Sequence, residues 1–190
     1  MVKQNNKHFY LVFSRTGTLF SRLINFGLSH KYAHVSISFD SYLDKMYSFG
    51  RLNPDNPFLA GLIEENLHDG IFKKFPYSEC LVYKISVTQE QYALLINEVN
   101  TFWQEKDKYR YNFIGVFTAY WDMPLERTYH YFCSQFVSEL LIKSKIYSSE
   151  KPTALISPTD LLEIENKEFI YEGLIKDYAE FAVTSLAYYV

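Results

Sequence analysis

The chain has 190 residues, 48% hydrophobic and 22% charged, with a formal net charge of −3. That length supports one domain with a substantial core, and the composition is globular rather than disordered. The charge balance carries no bulk basic signal for nucleic acid or anionic lipid, two cysteines are too few for a disulfide framework, and no CxxC or HExxH pattern marks a zinc site.

Residues 8–14 (HFYLVFS) read as a first strand, and residues 15–17 as a turn. Residues 18–28 read as a helix with Leu19, Leu23, Ile24 and Phe26 on its apolar side. Residues 34–39 (HVSISF) alternate strictly, so Val35, Ile37 and Phe39 face one way and His34, Ser36 and Ser38 the other. Residues 45–49 read as the antiparallel partner of that strand. Residues 53–70 hold two prolines and little periodicity, which reads as loop. Residues 80–87 (CLVYKISV) alternate again, placing Leu81, Tyr83, Ile85 and Val87 on one face.

Thr88-Gln89-Glu90-Gln91 forms a capping box at the head of a long helix, with an apolar stripe of Tyr92, Leu95, Ile96, Val99, Phe102 and Trp103. Residues 109–117 read as a short helix or an irregular segment. Residues 131–144 read as a helix with Phe132, Cys133, Phe136, Val137, Leu140 and Leu141 on one side. Ser157-Pro158-Thr159-Asp160 starts another helix, with proline at the first helical position. Residues 169–175 and 180–190 read as closing strands, the last stretch being equally compatible with helix.

Strands early, in the middle and late, with helices between them, give an α+β class with an antiparallel sheet in one domain over residues 1–190. The 18% aromatic content fits half-buried strands and equally suits a substrate-stacking cleft. No stretch approaches the roughly 18 uninterrupted apolar residues of a membrane span. Residues 1–7 are charged without a signal-like apolar run, so the expectation is a cytoplasmic protein with no membrane span.

The residues best placed for chemistry are Cys133 and His34. Cys133 falls in the first turn of its helix, where unpaired N–H groups and the helix dipole favour an anion. His34 starts a strand on the face away from Val35 and Ile37. A thiolate beside an imidazolium suffices for acyl transfer: sulfur attacks a carbonyl, and imidazole protonates the leaving group. Against this stands the ordinary reading of a buried structural cysteine. Cys80, inside a strand, reads as core. His130 lies three residues before Cys133, but no third and fourth ligands follow at metal-site spacing. His8, His30 and His68 read as solvated or locally satisfied. Arg51 and Arg22 read as surface charge or as carboxylate binders, and Trp121-Asp122-Met123-Pro124 as loop or cleft wall.

The segment HYFCSQFVSELL (130–141) resembles the Cys-helix motif of the permuted papain-like amidases, relatives of the NlpC-type cell-wall peptidases. In that group the His strand precedes the Cys helix, as His34 precedes Cys133 here. YAHVSISFD (32–40) looks like the group's His strand, and YSFGR (47–51), SPTDLL (157–162) and IYEG (170–173) add to a similarity covering most of the chain. The resemblance implies a circularly permuted papain-like fold and a thiol amidase or peptidase with Cys133 as nucleophile and His34 as general base and acid. No cofactor or metal is implied. The substrate would be a peptide or small molecule, with cell-wall peptides and acyl lipids both represented in the wider group.

The group orients its His from the following strand, which points to Ser48 as third catalytic residue. A serine there departs from the acidic pattern; Glu64 or Glu65, a backbone carbonyl or a water are the alternatives. The Cys133 N–H, with Tyr32 as second candidate donor, would stabilise the oxyanion. Two other readings stay open: a thiol acyl-hydrolase or acyltransferase acting on lipid or thioester, and a catalytically weak or inactive binding module of the same fold. The oligomeric state is left open.

Overall fold

The structure, a computed structural model, describes residues 7–16 and 31–186. The expected helix at 18–28, Arg22, His30 and the tail 187–190 lie outside them. In chain order the elements are β1 (Lys7–Arg15), β2 (His34–Ser38), β3 (Met46–Asn53), β4 (Asn56–Glu65), α1 (Gly70–Lys74), β5 (Glu79–Val87), α2 (Gln89–Gln104), β6 (Arg110–Tyr111), α3 (Phe113–Tyr120), β7 (His130–Tyr131), α4 (Cys133–Lys143), α5 (Pro158–Leu162), β8 (Lys167–Leu174) and α6 (Ile175–Phe181).

Six strands form one sheet in the order β4-β3-β2-β1-β5-β8, with every neighbouring pair antiparallel. The class is therefore α+β. A separate two-stranded parallel pair joins β6 to β7, opposing Tyr111 to Tyr131.

Strand alternation divides the core. Phe9, Leu11, Phe13, Val35, Ile37, Leu81 and Ile85 point to one face, where they meet Leu95, Val99 and Phe102 of α2 and Phe136, Val137, Leu140 and Leu141 of α4. Tyr10, Val12, Met46, Cys80 and Val82 point to the other, against Phe72 of α1 and Ile175 and Tyr178 of α6. The helical periodicity of α2 and α4 supplies the matching apolar stripes. Phe136 is fully buried, its ring 5.1 Å from Phe102 and 5.3 Å from Phe49. Thr88 caps α2 with both halves of the capping box formed, and Ser157 does the same for α5.

Residues 53–70 are largely strand, not loop. β4 is ten residues long and returns along β3 from Asn53 opposite Asn56 to Met46 opposite Glu65. Proline at position 57 is compatible with this because β4 is an edge strand, whose outward N–H groups need no ladder partner. The expected helix at 131–144 begins at Cys133, since Tyr131 is taken by pairing with Tyr111 and Phe132 adopts extended backbone as the N-cap. Residues 109–117 divide between β6 and α3, and residues 175–186 are helical rather than a closing strand.

Two substitutions gauge these contributions by urea denaturation. Phe136→Ala should cost about 3–5 kcal/mol through lost burial and the cavity left behind. Thr88→Ala should cost about 1 kcal/mol through the lost cap. Equal effects from the two would contradict the assignment of Phe136 to the centre of the core.

Candidate active site

The site is built where three element ends converge: the first residue of β2, the first residue of α4 and the last residue of β4. The N-cap of α4 provides no side-chain hydrogen bond, so the first-turn N–H groups keep their donor capacity. Cys133 occupies the first position of that turn and is 5% exposed. Its Sγ lies 3.9 Å from the Ala33 carbonyl oxygen, to which the thiol donates, which sets the sulfur beside the residue that precedes His34.

The other side of the ring is held by Glu65. Nε2 of His34 is 2.9 Å from Oε2 and 3.0 Å from Oε1 of Glu65, so the Nε2–H donates to the carboxylate. Nδ1 is then the nitrogen left to address the sulfur. Ser36, two residues along β2 on the same face, donates to Glu65 Oε2 at 2.5 Å. The His34 side chain remains 22% exposed while that of Glu65 is 6% exposed.

Burial alone would lower the His34 pKa. The Glu65 charge, with hydrogen bonds involving Cys133 and Glu65, outweighs it and holds the ring well above its ordinary value. Burial would likewise raise Glu65, but the His34 charge and the hydrogen bonds from His34 and Ser36 bring it below the usual carboxylate value. The directions agree: each charge is retained because the other is there. On β6, Tyr111 is buried near Cys133, and burial followed by the Cys133 charge raises its phenol well above the usual range, keeping it a donor.

Ser48 does not touch His34. Its hydroxyl donates to the Val35 carbonyl at 2.7 Å, tying β3 to β2. The group on the ring is Glu65, and Glu64 instead pairs with Lys45 at 2.8 Å. Tyr32 also differs from expectation: its hydroxyl donates to Glu172 at 2.8 Å, and burial together with that bond pushes its pKa up to about 12. That proton is committed away from the sulfur. Strict alternation along β2 correctly set His34 and Ser36 on one face, whereas Glu65 was named only as an alternative to Ser48, beside Glu64, because its strand read as loop. Tyr111 had no sequence signal, since only the pairing of β6 with β7 brings it to Cys133.

The remaining candidates lie elsewhere. Cys80 is fully buried, and burial pushes its thiol up to about 12. His130 donates from Nδ1 to the Thr128 carbonyl. His68 lies 3.9 Å from Asp44, and His8 is lowered chiefly by burial. Among the described residues no group of His, Cys, Asp and Glu could hold a metal ion, and no helix is long and apolar enough to cross a membrane. A cavity of about 810 Å³ follows β4 and reaches Glu65, with Arg51, Leu62, Trp103 and Tyr109 on its walls. Trp121 and Met123 are exposed beyond the end of α3.

The two pKa directions define a pH window. The raised His34 contributes stability that is complete below 6.5 and is lost as pH rises through its folded value. The depressed Glu65 contributes stability that is complete above 4.5 and is lost as pH falls through its folded value. Glu65→Gln should therefore destabilise most between those two pH values, by about 3 kcal/mol, and progressively less on either side. Urea midpoints whose difference from wild type stays flat across roughly pH 4 to 9 would exclude the pair.

The chain matches no protein-family model, no curated protein and no solved structure.

Proposed function

We propose that the protein is a thiol hydrolase of the amidase or peptidase type, working through a Cys133 acyl-enzyme. One observation carries the reading: a buried carboxylate occupies Nε2 of His34, and the Cys133 sulfur sits 3.9 Å from the carbonyl oxygen of the residue just before it. The resemblance of residues 32–40 and 130–141 to the His strand and Cys helix of permuted papain-like amidases supports it from the sequence side. So does the order of β2 before α4. In this reading Glu65 takes the role first expected of Ser48.

The steps follow from the groups present. The Cys133 thiolate attacks the carbonyl carbon, and the negative charge passes to the carbonyl oxygen. The N–H of Cys133 at the helix start donates to that oxygen, with the Tyr111 hydroxyl as second donor in place of Tyr32. The His34 proton moves to the leaving nitrogen, the C–N bond breaks and the amine departs, leaving a thioester. Water then attacks the thioester as His34 accepts its proton. The C–S bond breaks, a carboxylic acid leaves, and the Cys133 thiolate and protonated His34 are restored. Glu65 holds the imidazolium in place and compensates its charge throughout.

A second reading keeps the same pair and changes the substrate to an acyl ester or thioester. What favours it is the apolar surface of α3 and the turn after it, where Ile114, Phe117, Tyr120, Trp121 and Met123 are all more than half exposed. The inactive-module reading drew on a missing acid together with a separated pair or a blocked cleft, and Glu65 on the ring weighs against the missing acid.

Iodoacetamide labelling at neutral pH tests the chemistry. Cys133 should label faster than a free thiol, Cys133→Ser should abolish that labelling, and His34→Ala should slow it by about 10²-fold. Paired fluorogenic peptide amides and acyl thioesters then separate the two substrate classes. Labelling of Cys133 at the rate of a simple thiol, unaffected by His34→Ala, would remove the proposal.

A further inference from the structure

In the β3–β4 ladder Glu65 opposes Met46, yet a carboxylate oxygen of Glu65 arrives beside Gly50, four residues farther along β3. The carboxylate therefore meets His34 beside the one residue of MYSFGR that has no side chain. A Cβ at position 50 would sit 3.3 Å from Glu65 Oε1 and 2.6 Å from Ile63 Cδ1. The second distance is shorter than real Cβ contacts, so Ile63 would have to shift and the carboxylate would be pressed at the same time. No positive φ is involved; what an alanine here would disturb is the space shared by the Ile63 and Glu65 side-chain ends.

Ser36 supplies the other half of the seat. It is 1% exposed and stands beside the imidazole on β2. Its hydroxyl donates to Glu65 Oε2 at 2.5 Å and lies 3.2 Å from His34 Nε2. Since Nε2–H already donates to the carboxylate, the serine proton belongs to Glu65. The carboxylate thus receives one donor from the ring and one from the strand that carries the ring. That pair of bonds fixes its orientation as well as its distance.

We propose that Ser36 and Gly50 are positioning residues that seat the Glu65 carboxylate on Nε2 of His34, so that Nδ1 is kept for the Cys133 sulfur. This deepens the proposed function and rests on its assignment of His34, Glu65 and Cys133. The charged or titratable groups facing the ring are Glu65 from β4 and Cys133 from α4. Tyr111 of β6 is acted on electrostatically by Cys133 and by Arg51 of β3.

The test is an NMR titration of the His34 ring nitrogens in the whole chain, with Cys133 alkylation as second readout. Ser36→Ala should let the His34 pKa fall toward the ordinary imidazole range, in the direction of Glu65→Gln. It should slow iodoacetamide labelling at pH 7 by about tenfold, the size of one charge-assisted hydrogen bond. Ser36→Thr, which keeps the hydroxyl, should titrate like wild type. Gly50→Ala should mimic Ser36→Ala; should it fail to fold, Ser36→Ala decides alone, because it removes one oxygen and adds no bulk. A folded Ser36→Ala chain whose His34 titrates as in wild type overturns the proposal. So does a Glu65→Gln chain with unchanged His34 titration. If these shifts occur and no amide or ester is ever cleaved, the seat stands and the hydrolase reading falls.

Discussion

A carboxylate with 6% of its side chain exposed cannot remain charged without a partner, and in this protein the partner is an imidazole. Desolvating either ion alone costs several kcal/mol. The close Glu65–His34 contact offsets that cost only because Ser36 fills a further acceptor position on the carboxylate. The ion pair is thus a condition that the surrounding strands must satisfy together. β2 contributes the ring and the serine, β4 the acid, and β3 lies between them with a gap at Gly50. Such pairs rarely add net stability over an apolar core. What the pair does fix is the orientation of the His34 ring, by taking up Nε2.

The aromatic core on the helix side serves the same end. Phe49, Phe102, Tyr109, Tyr131 and Phe136 meet with ring centroids 4.9–6.0 Å apart. This cluster anchors α4 against the sheet near its first turn, which carries Cys133. The high aromatic content is therefore largely accounted for by packing. Among the exposed rings are Phe58, Tyr77, Phe169 and those of α3 with Trp121.

Tyr32 and Ser48 share one lesson. Each stands at a sequence position that suggested a catalytic partner, and each spends its hydrogen bond on construction. Tyr32 reaches Glu172 on β8, and Ser48 closes the β2–β3 junction through the Val35 carbonyl. A hydroxyl within two residues of a histidine, or on the next strand, says little about its direction. That depends on which acceptor the sheet brings nearest.

The sequence by itself determined the periodic elements. β2, β5, α2 and α4 were legible in alternation or in helical spacing, β1 as a short apolar run, and the caps at Thr88 and Ser157 formed as their residue types require. It also nominated Cys133 and His34, because a helix start and the polar face of a strand are local properties. Tertiary structure decided the acid. Glu65 lies on a strand that Pro57, with Pro54 just before it and little periodicity, disguised as loop, and its carboxylate meets His34 beside Gly50 only through tertiary folding. Tyr111 likewise reaches Cys133 through the parallel pairing of β6 with β7. Periodicity reports which way a residue faces, whereas the choice of partner depends on register between strands distant in the chain, which no local pattern encodes.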